Sequence, residues 1–265
     1  MNKRYKIAAI KFGGMCAGGT EKWLQTILVE LSKKPQFDVD YYYCDAAPYV
    51  GSDYKHADTD QSRLDYVKNS AVNLVKFKVG LKNINTPTHD WLMTDFWEKF
   101  REEKYDLILS ARAGHAEYPF TQINTKPIVD FITLPGMAER KENSKASIHI
   151  SRFQADSWIA AGGDSGRAVV IPLFSDIGTV PPKDQNLRKL YNIPETAVVY
   201  GLHQRVDDGI FSPVPLTGYK QIEGDDTWFM LMGGGESYSE QAKKLGIKNF
   251  VSVKASGDYA DIFRF

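Results

Sequence analysis

The residues best suited to chemistry in this chain are two glycine runs, each at the end of an apolar segment. Gly13-Gly14-Met15-Cys16-Ala17-Gly18-Gly19 follows the apolar stretch 6–12, and Thr20 and Glu21 come directly after it. Glycines at this density let a backbone turn sharply or lie close against a ligand. Thr20 is expected as the N-cap of the next helix, with Glu21 complementing the positive end of its dipole. A strand, a glycine loop and a helix N-terminus together present backbone N–H groups to an anion such as phosphate. The same residues could equally make a plain strand–helix turn. A nicotinamide or flavin site stays open: the spacing is not Gly-x-Gly-x-x-Gly, but Asp45 closes the second expected strand, where a ribose-binding acid would lie. No Gly-Lys-Ser/Thr follows the glycines, which excludes a P-loop. Gly233-Gly234-Gly235-Glu236 repeats the arrangement late in the chain, again as a ligand loop or a turn.

Composition narrows the class. The 265 residues carry 33 basic and 33 acidic side chains, so no nucleic-acid partner and no attraction to an anionic membrane is expected. No apolar run approaches the ~20 residues of a membrane span. Lys3, Arg4 and Lys6 frame no long apolar region, so no secretory signal is expected. Two cysteines, Cys16 and Cys44, are too few for a disulfide scaffold. A reduced, cytoplasmic setting is the simplest expectation. No Cys/His cluster has zinc spacing, His56, His89 and His149 show no ligand pattern, and no metal site is expected.

The elements that must position these residues alternate. Strands are expected at 6–12, 37–44, 72–79, 105–110, 127–134, 147–151 and 168–171. Between them lie a helix from Thr20 with Trp23, Leu24, Ile27, Leu28 and Leu31 on one face, a helix over 91–104, and one ending near Ala161 at Gly162-Gly163. Trp91, Trp97, Trp158 and Trp228 fall at core periodicity. After Pro181-Pro182 the pattern restarts, with strands at 198–202, 228–232 and 250–253 between helical segments, and a helical start at 258–263. This is an α/β chain of two Rossmann-like doubly wound domains, the second incomplete: 1–173, a linker at 174–186, and 187–265.

The order of the motifs is specific. Gly18-Gly19-Thr20-Glu21 ahead of a leucine-bearing helix, Val169-Val170-Ile171-Pro172 before the linker, Leu187-Arg188-Lys189-Leu190-Tyr191-Asn192-Ile193-Pro194 after it, and a strand from Val198 ending at Arg205 resemble a GT-B glycosyltransferase of family 4. Met232-Gly233-Gly234-Gly235-Glu236 resembles that family's later Gly-x-Gly turn. The resemblance implies transfer of a sugar from a nucleotide-sugar donor to a glycan or other hydroxyl acceptor, with retention of configuration. It implies no essential metal and no cofactor beyond the donor as substrate. The donor diphosphate would lie in a cleft between the domains. Arg205 matches the family's Gly-Arg arginine, whose bidentate fork suits phosphate oxygens. Gly18, Gly19, Thr20, Asp208, Gly234, Gly235 and Glu236 would complete the donor contacts. His115 stands where the family carries a polar group near acceptor and donor sugar, and Arg112 and Glu117 would hold the acceptor; the bland alternative is a solvated loop.

Two departures qualify that implication. Val206-Asp207-Asp208-Gly209-Ile210 offers carboxylates where the family has a lysine, and Asp207-Asp208-Gly209 also reads as a turn. The family's Glu-x₇-Glu pair is absent, so the chain is expected to be part of a longer multidomain polypeptide or to lack part of the donor pocket. A non-catalytic remnant binding nucleotide, glycan or a partner protein is the first alternative, and an NAD(P)-dependent oxidoreductase the second. Asp38-Val39-Asp40 and Asp58-Thr59-Asp60 spell the Asp-x-Asp metal motif of the other large glycosyltransferase fold, but both are expected as solvated turns.

Overall fold

A computed structural model of the chain describes residues 3–16, 18–45, 59–78, 94–112, 119–132, 141–173, 186–204 and 211–254, the Arg112 side chain apart. The chain divides into two compact units, Met1–Phe174 and Ser175–Phe265.

The first unit is built on a seven-stranded parallel sheet of order β3-β2-β1-β4-β5-β6-β7. Its strands are β1 (Tyr5–Gly14), β2 (Phe37–Cys44), β3 (Asn73–Lys76), β4 (Leu107–Arg112), β5 (Ile128–Ile132), β6 (Ser144–His149) and β7 (Ala168–Val170). Ala8, Ala9 and Ile10 of β1 are fully buried, as a central strand covered on both faces requires. Helix α1 (Gly19–Ser32) lays Trp23, Leu24 and Leu28 on one face of the sheet, joined by Val67 of α2 (Gln61–Lys68). Each such buried apolar side chain stabilises the unit by about 1.5–3 kcal/mol relative to exposure.

The opposite face holds an aromatic cluster, and there the expected helix over 91–104 is not found. Its described part is the short helix α3 (Phe96–Lys99), then a 3-10 turn at Glu102–Lys104. Phe100 between them is extended, with φ −91 and ψ 132. The cause is tertiary: Phe100 stacks on Phe96 at 5.0 Å and on Tyr105 at 5.6 Å, and meets Tyr42 edge-on at 5.4 Å. Continuing the helix would carry Phe100 out of that stack. Two smaller shifts have local reasons. β1 runs on through Gly13 and Gly14, which continue the strand at φ +75 and +77. β6 begins at Ser144, whose side chain anchors it to the buried Asp130 at 2.8 Å. Helix α4 (Arg152–Ala160) ends before Gly162, as expected, while Ser151, expected as the last residue of the sixth strand, instead caps it.

The second unit has, among its described residues, a three-stranded parallel sheet of order β10-β9-β8. The strands are β8 (Val198–Gln204), β9 (Thr227–Gly233) and β10 (Phe250–Val253), with helices α5 (Leu187–Leu190), α6 (Val214–Ile222) and α7 (Glu236–Lys244). One face packs Met230, Met232 and Val251 against Ile193; the other packs Phe229 and Leu231 against Leu216, Tyr219 and Tyr238. Trp158 is buried in the first unit, and Trp97 and Trp228 pack at the edges of their clusters. Trp91 and the segment 258–263 lie outside the described residues.

Candidate functional site

In an open parallel sheet, ligands sit beyond the carboxyl ends of the strands, at the point where strand order reverses. In the first unit that point lies between β1 and β4, which are hydrogen-bonded neighbours from Ile7↔Leu107 to Ile10↔Ser110. The turn after β1 is held from three directions. The Gly14 carbonyl accepts from the buried Gln25 Nε2 at 2.6 Å and from the Tyr41 hydroxyl at 2.7 Å. The Gly13 N–H donates to Cys44 Sγ at 3.2 Å. A Cβ on Gly14 would lie 2.9 Å from the Lys11 carbonyl oxygen, Tyr41 Oη and Tyr43 Cβ, so both space and the positive φ demand glycine.

Helix α1 starts two residues earlier than a cap at Thr20 would set it. Gly18 is the N-cap, without a side-chain hydrogen bond, Gly19 is the first helical residue, and Thr20 lies within the first turn. Glu21 takes the part foreseen for it at the positive helix end and goes further. Its carboxylate folds back over Gly18, where an added Cβ would meet Oε2 at 1.9 Å. Lys11 Nζ stands 3.5 Å from Glu21 Oε1 and donates to the Ala111 carbonyl at 3.1 Å, tying the end of β1 to the end of β4. Burial, then the Glu21 charge, raises the Cys16 thiol pKa, and burial pushes that of Cys44 up to about 12. Both thiols are therefore protonated at neutral pH, which argues against a cysteine nucleophile.

Beside this turn lies a pair of cations that the sequence does not single out. Asp60 N–H bonds the Met15 carbonyl at 2.8 Å, bringing the start of α2 against the loop. Arg63 of α2 then donates from Nε to Gln25 Oε1 at 2.7 Å. Burial, and next the Arg63 charge, lowers the pKa of the half-buried Lys22 to about 8.

In the second unit, Gln204 at the end of β8 is paired with Gly233, and its carbonyl accepts from the Gly234 N–H at 2.9 Å. Gly233 and Gly234 have φ +77 and +68, and a Cβ on Gly234 would press on Leu231 at 2.9 Å and Tyr238 at 3.1 Å. Gly235 caps α7 and Glu236 opens it. Arg205 follows Gln204 directly in the chain.

The structure thus brings Gly18, Gly19 and Thr20 to one sheet edge, with the backbone of Arg112 ending β4 opposite Ile132 on the far side of that strand. It gathers Gly234, Gly235 and Glu236 at the other sheet's edge. His115, Glu117, Arg205 and Asp208 lie outside the described residues. Lys11, Lys22, Gln25 and Arg63 are the additions. Lys11 and Gln25 had a faint signal, as polar residues inside otherwise apolar patterns; Arg63 had none.

The alternatives weighed from sequence also find places. Asp45, the possible ribose acid, pairs with Lys76 and accepts from the Thr59 hydroxyl. Asp38 pairs with Arg4. Asp40 is not a solvated turn: it is buried and accepts from the Tyr105 hydroxyl at 2.7 Å and Asn73 at 3.0 Å. Asp60 caps α2 through Ser62 and Arg63 amides, while Asp58 lies outside the described residues. Among the described residues no three His, Cys, Asp or Glu side chains are grouped to hold a metal ion. His149 ends β6 fully buried, with neither ring nitrogen hydrogen-bonded and its ring 5.1 Å from that of Trp158.

No family model matches this sequence, and no curated protein matches it. Solved structures do. HepE of Anabaena, in complex with UDP and glucose, superposes with TM-score 0.63 at 15% identity, covering 98% of this chain and 71% of that one. WaaG, a glycosyltransferase involved in lipopolysaccharide biosynthesis, gives 0.56 at 13% identity, covering 97% of this chain and 72% of that one. A UDP-N-acetylglucosamine 2-epimerase gives 0.55 at 12%, covering 99% and 71%. The fold is GT-B. At these identities the likeness is one of architecture: two Rossmann-like α/β units. Among the described residues no helix is long and apolar enough to cross a membrane.

Proposed function

We propose that this chain is a glycosyltransferase that moves a sugar from a UDP-sugar to a hydroxyl of a glycan or other acceptor. One observation carries the reading: nearly the whole chain shares its fold with HepE, which has been solved with UDP, with UDP and glucose, and with UDP-glucose. The geometry supports it, since both sheets end in glycine turns leading into helices at the edges where such folds take ligands.

In this reading residues 1–173 form the acceptor unit, 174–186 the linker and 187–265 part of the donor unit. Arg205 and the Gly234–Glu236 turn hold the donor diphosphate, with Asp208 nearby. Charge grows on the leaving diphosphate in the transition state, so a guanidinium and oriented amides there lower the barrier. Gly18, Gly19 and Thr20 approach the donor from the first unit once the Glu21 carboxylate turns away from Gly18. Arg112, His115 and Glu117 hold the acceptor and the transferred sugar. Retention of configuration, independence of an essential metal, the absence of any further cofactor and a cytoplasmic site of action belong to the same proposal.

The epimerase likeness, over 99% of the chain, supports a second reading in which the UDP-sugar itself is isomerised. One experiment separates them. The chain is incubated with a panel of UDP-sugars, with and without hydroxyl acceptors, and with and without EDTA, and the products are resolved by NMR. A new glycoside of retained configuration, formed with or without EDTA, is the result expected. An isomerised UDP-sugar without acceptor would favour the epimerase, and no turnover with intact UDP binding would favour a binding remnant.

A further inference from the structure

Arg63 is held from behind and unspent in front. Its Nε donates to Gln25 Oε1 at 2.7 Å, while Gln25 is itself fully buried and fixed by its own bond to the Gly14 carbonyl. The guanidinium lies 4.5 Å from the centre of the Tyr66 ring, a stacking contact that sets its plane. Nη2 is buried without a hydrogen-bond partner, an expensive state for a charged donor. The neighbouring Asp60 carries a charge that Arg63 feels but gives Nη2 no hydrogen bond; its Oδ1 accepts from the Ser62 amide and hydroxyl and the Arg63 amide of its own helix. Lys22, in the first turn of α1, lies one helical turn from Gln25 and so on the same side as the guanidinium. The position is the ligand edge of the sheet, because α2 is tied to the loop after β1 through Asp60 and Met15.

We propose that Arg63, seconded by Lys22, receives an anionic group, phosphate or carboxylate, carried by the acceptor. A guanidinium whose Nε and plane are already fixed keeps its two Nη groups for such an anion, reached once the neighbours covering Nη2 give way, and that fork matches a pair of oxygens on a carboxylate or phosphate. A neutral sugar would leave that fork unanswered. The inference deepens the transferase reading and rests on it for the assignment to the acceptor, while the anion site itself does not.

The test is NMR on the full chain with ¹⁵N-labelled arginine. It is titrated with inorganic phosphate, glucose 6-phosphate, glucose and UDP at constant ionic strength, and Arg63 Nε–Hε is assigned by its loss in Arg63→Gln. Saturable movement of that resonance with phosphate and glucose 6-phosphate, and none with glucose, is expected. Arg63→Gln and Lys22→Gln should each weaken glucose 6-phosphate by about tenfold or more, with UDP affinity unchanged. Lys22→Gln keeps the test available if Arg63→Gln does not fold. A resonance unmoved by either phosphate, or equal affinity in the variants, overturns the site. Displacement of phosphate from Arg63 by UDP overturns its assignment to the acceptor. Failure of UDP to bind the wild-type chain at all counts instead against the transferase reading.

Discussion

Substituting Gly14 by alanine should unfold the first unit's ligand edge, and the size of the effect can be built from the structure. At φ +77 an L-residue costs about 1–2 kcal/mol. The new methyl would stand 2.9 Å from the Lys11 carbonyl oxygen, Tyr41 Oη and Tyr43 Cβ. The Lys11 contact is backbone and Tyr43 Cβ belongs to a buried strand, so neither can swing away, and overpacking of this kind costs about 1–3 kcal/mol. Displacing the Tyr41 hydroxyl also weakens its bond to the Gly14 carbonyl, worth about 1 kcal/mol. The sum is about 3–6 kcal/mol, which for a unit of this size lowers the melting temperature by roughly 10–20 °C. Differential scanning calorimetry on wild type and Gly14→Ala reads it directly. A variant melting within about 2 °C of wild type would refute the packing argument, because no side-chain rotation relieves the overlap.

Three further outcomes follow from the same geometry. At Gly19, the first residue of α1, a Cβ meets nothing within 4 Å. Gly19→Ala should therefore raise the melting temperature by about 1–3 °C, while its methyl weakens UDP binding about tenfold if this backbone approaches the diphosphate; unchanged affinity removes Gly19 from the site. Arg205→Ala should lower UDP-glucose affinity by about tenfold or more, since a diphosphate loses its fork; unchanged affinity by calorimetry removes Arg205 from the site. Burial lowers the His149 pKa. Below the ordinary value of about 6.5 the unfolded chain binds a proton that the folded chain refuses, so stability is complete above that pH and drains away as pH falls towards the folded pKa. His149→Phe should flatten that part of the pH–stability curve and leave stability at pH 8 within about 1 kcal/mol, because both ring nitrogens are unpartnered. A steeper curve in the variant would contradict the assignment.

Elements whose boundaries are set by local chemistry could be read without the structure. β2 and β10 run over the residues expected, because polar and turn residues bound each of them on both sides and leave one choice of span. The end of α4 was legible through Gly162, but its start was not, since Ser151 reads as the close of an apolar strand and is in fact the cap. What escaped depends on partners distant in sequence. The break at Phe100 is decided by Tyr42 and Tyr105, neither visible from a helical pattern. At the site, glycine spacing located both turns, but not that Glu21 would cover Gly18, nor that Gln25 would spend its side chain fixing Arg63. Arg63 sits in a polar stretch with nothing to mark it; the ties of Asp60 to Met15 and of Arg63 itself to Gln25 bring it to the ligand edge.

Whether this GT-B fold uses a nucleotide sugar is read, without any acceptor, by calorimetric titration of the full chain with UDP, UDP-glucose and NAD. Saturable binding of UDP and UDP-glucose, and none of NAD, is the expected result. No heat from any nucleoside diphosphate, or binding of NAD alone, would contradict it.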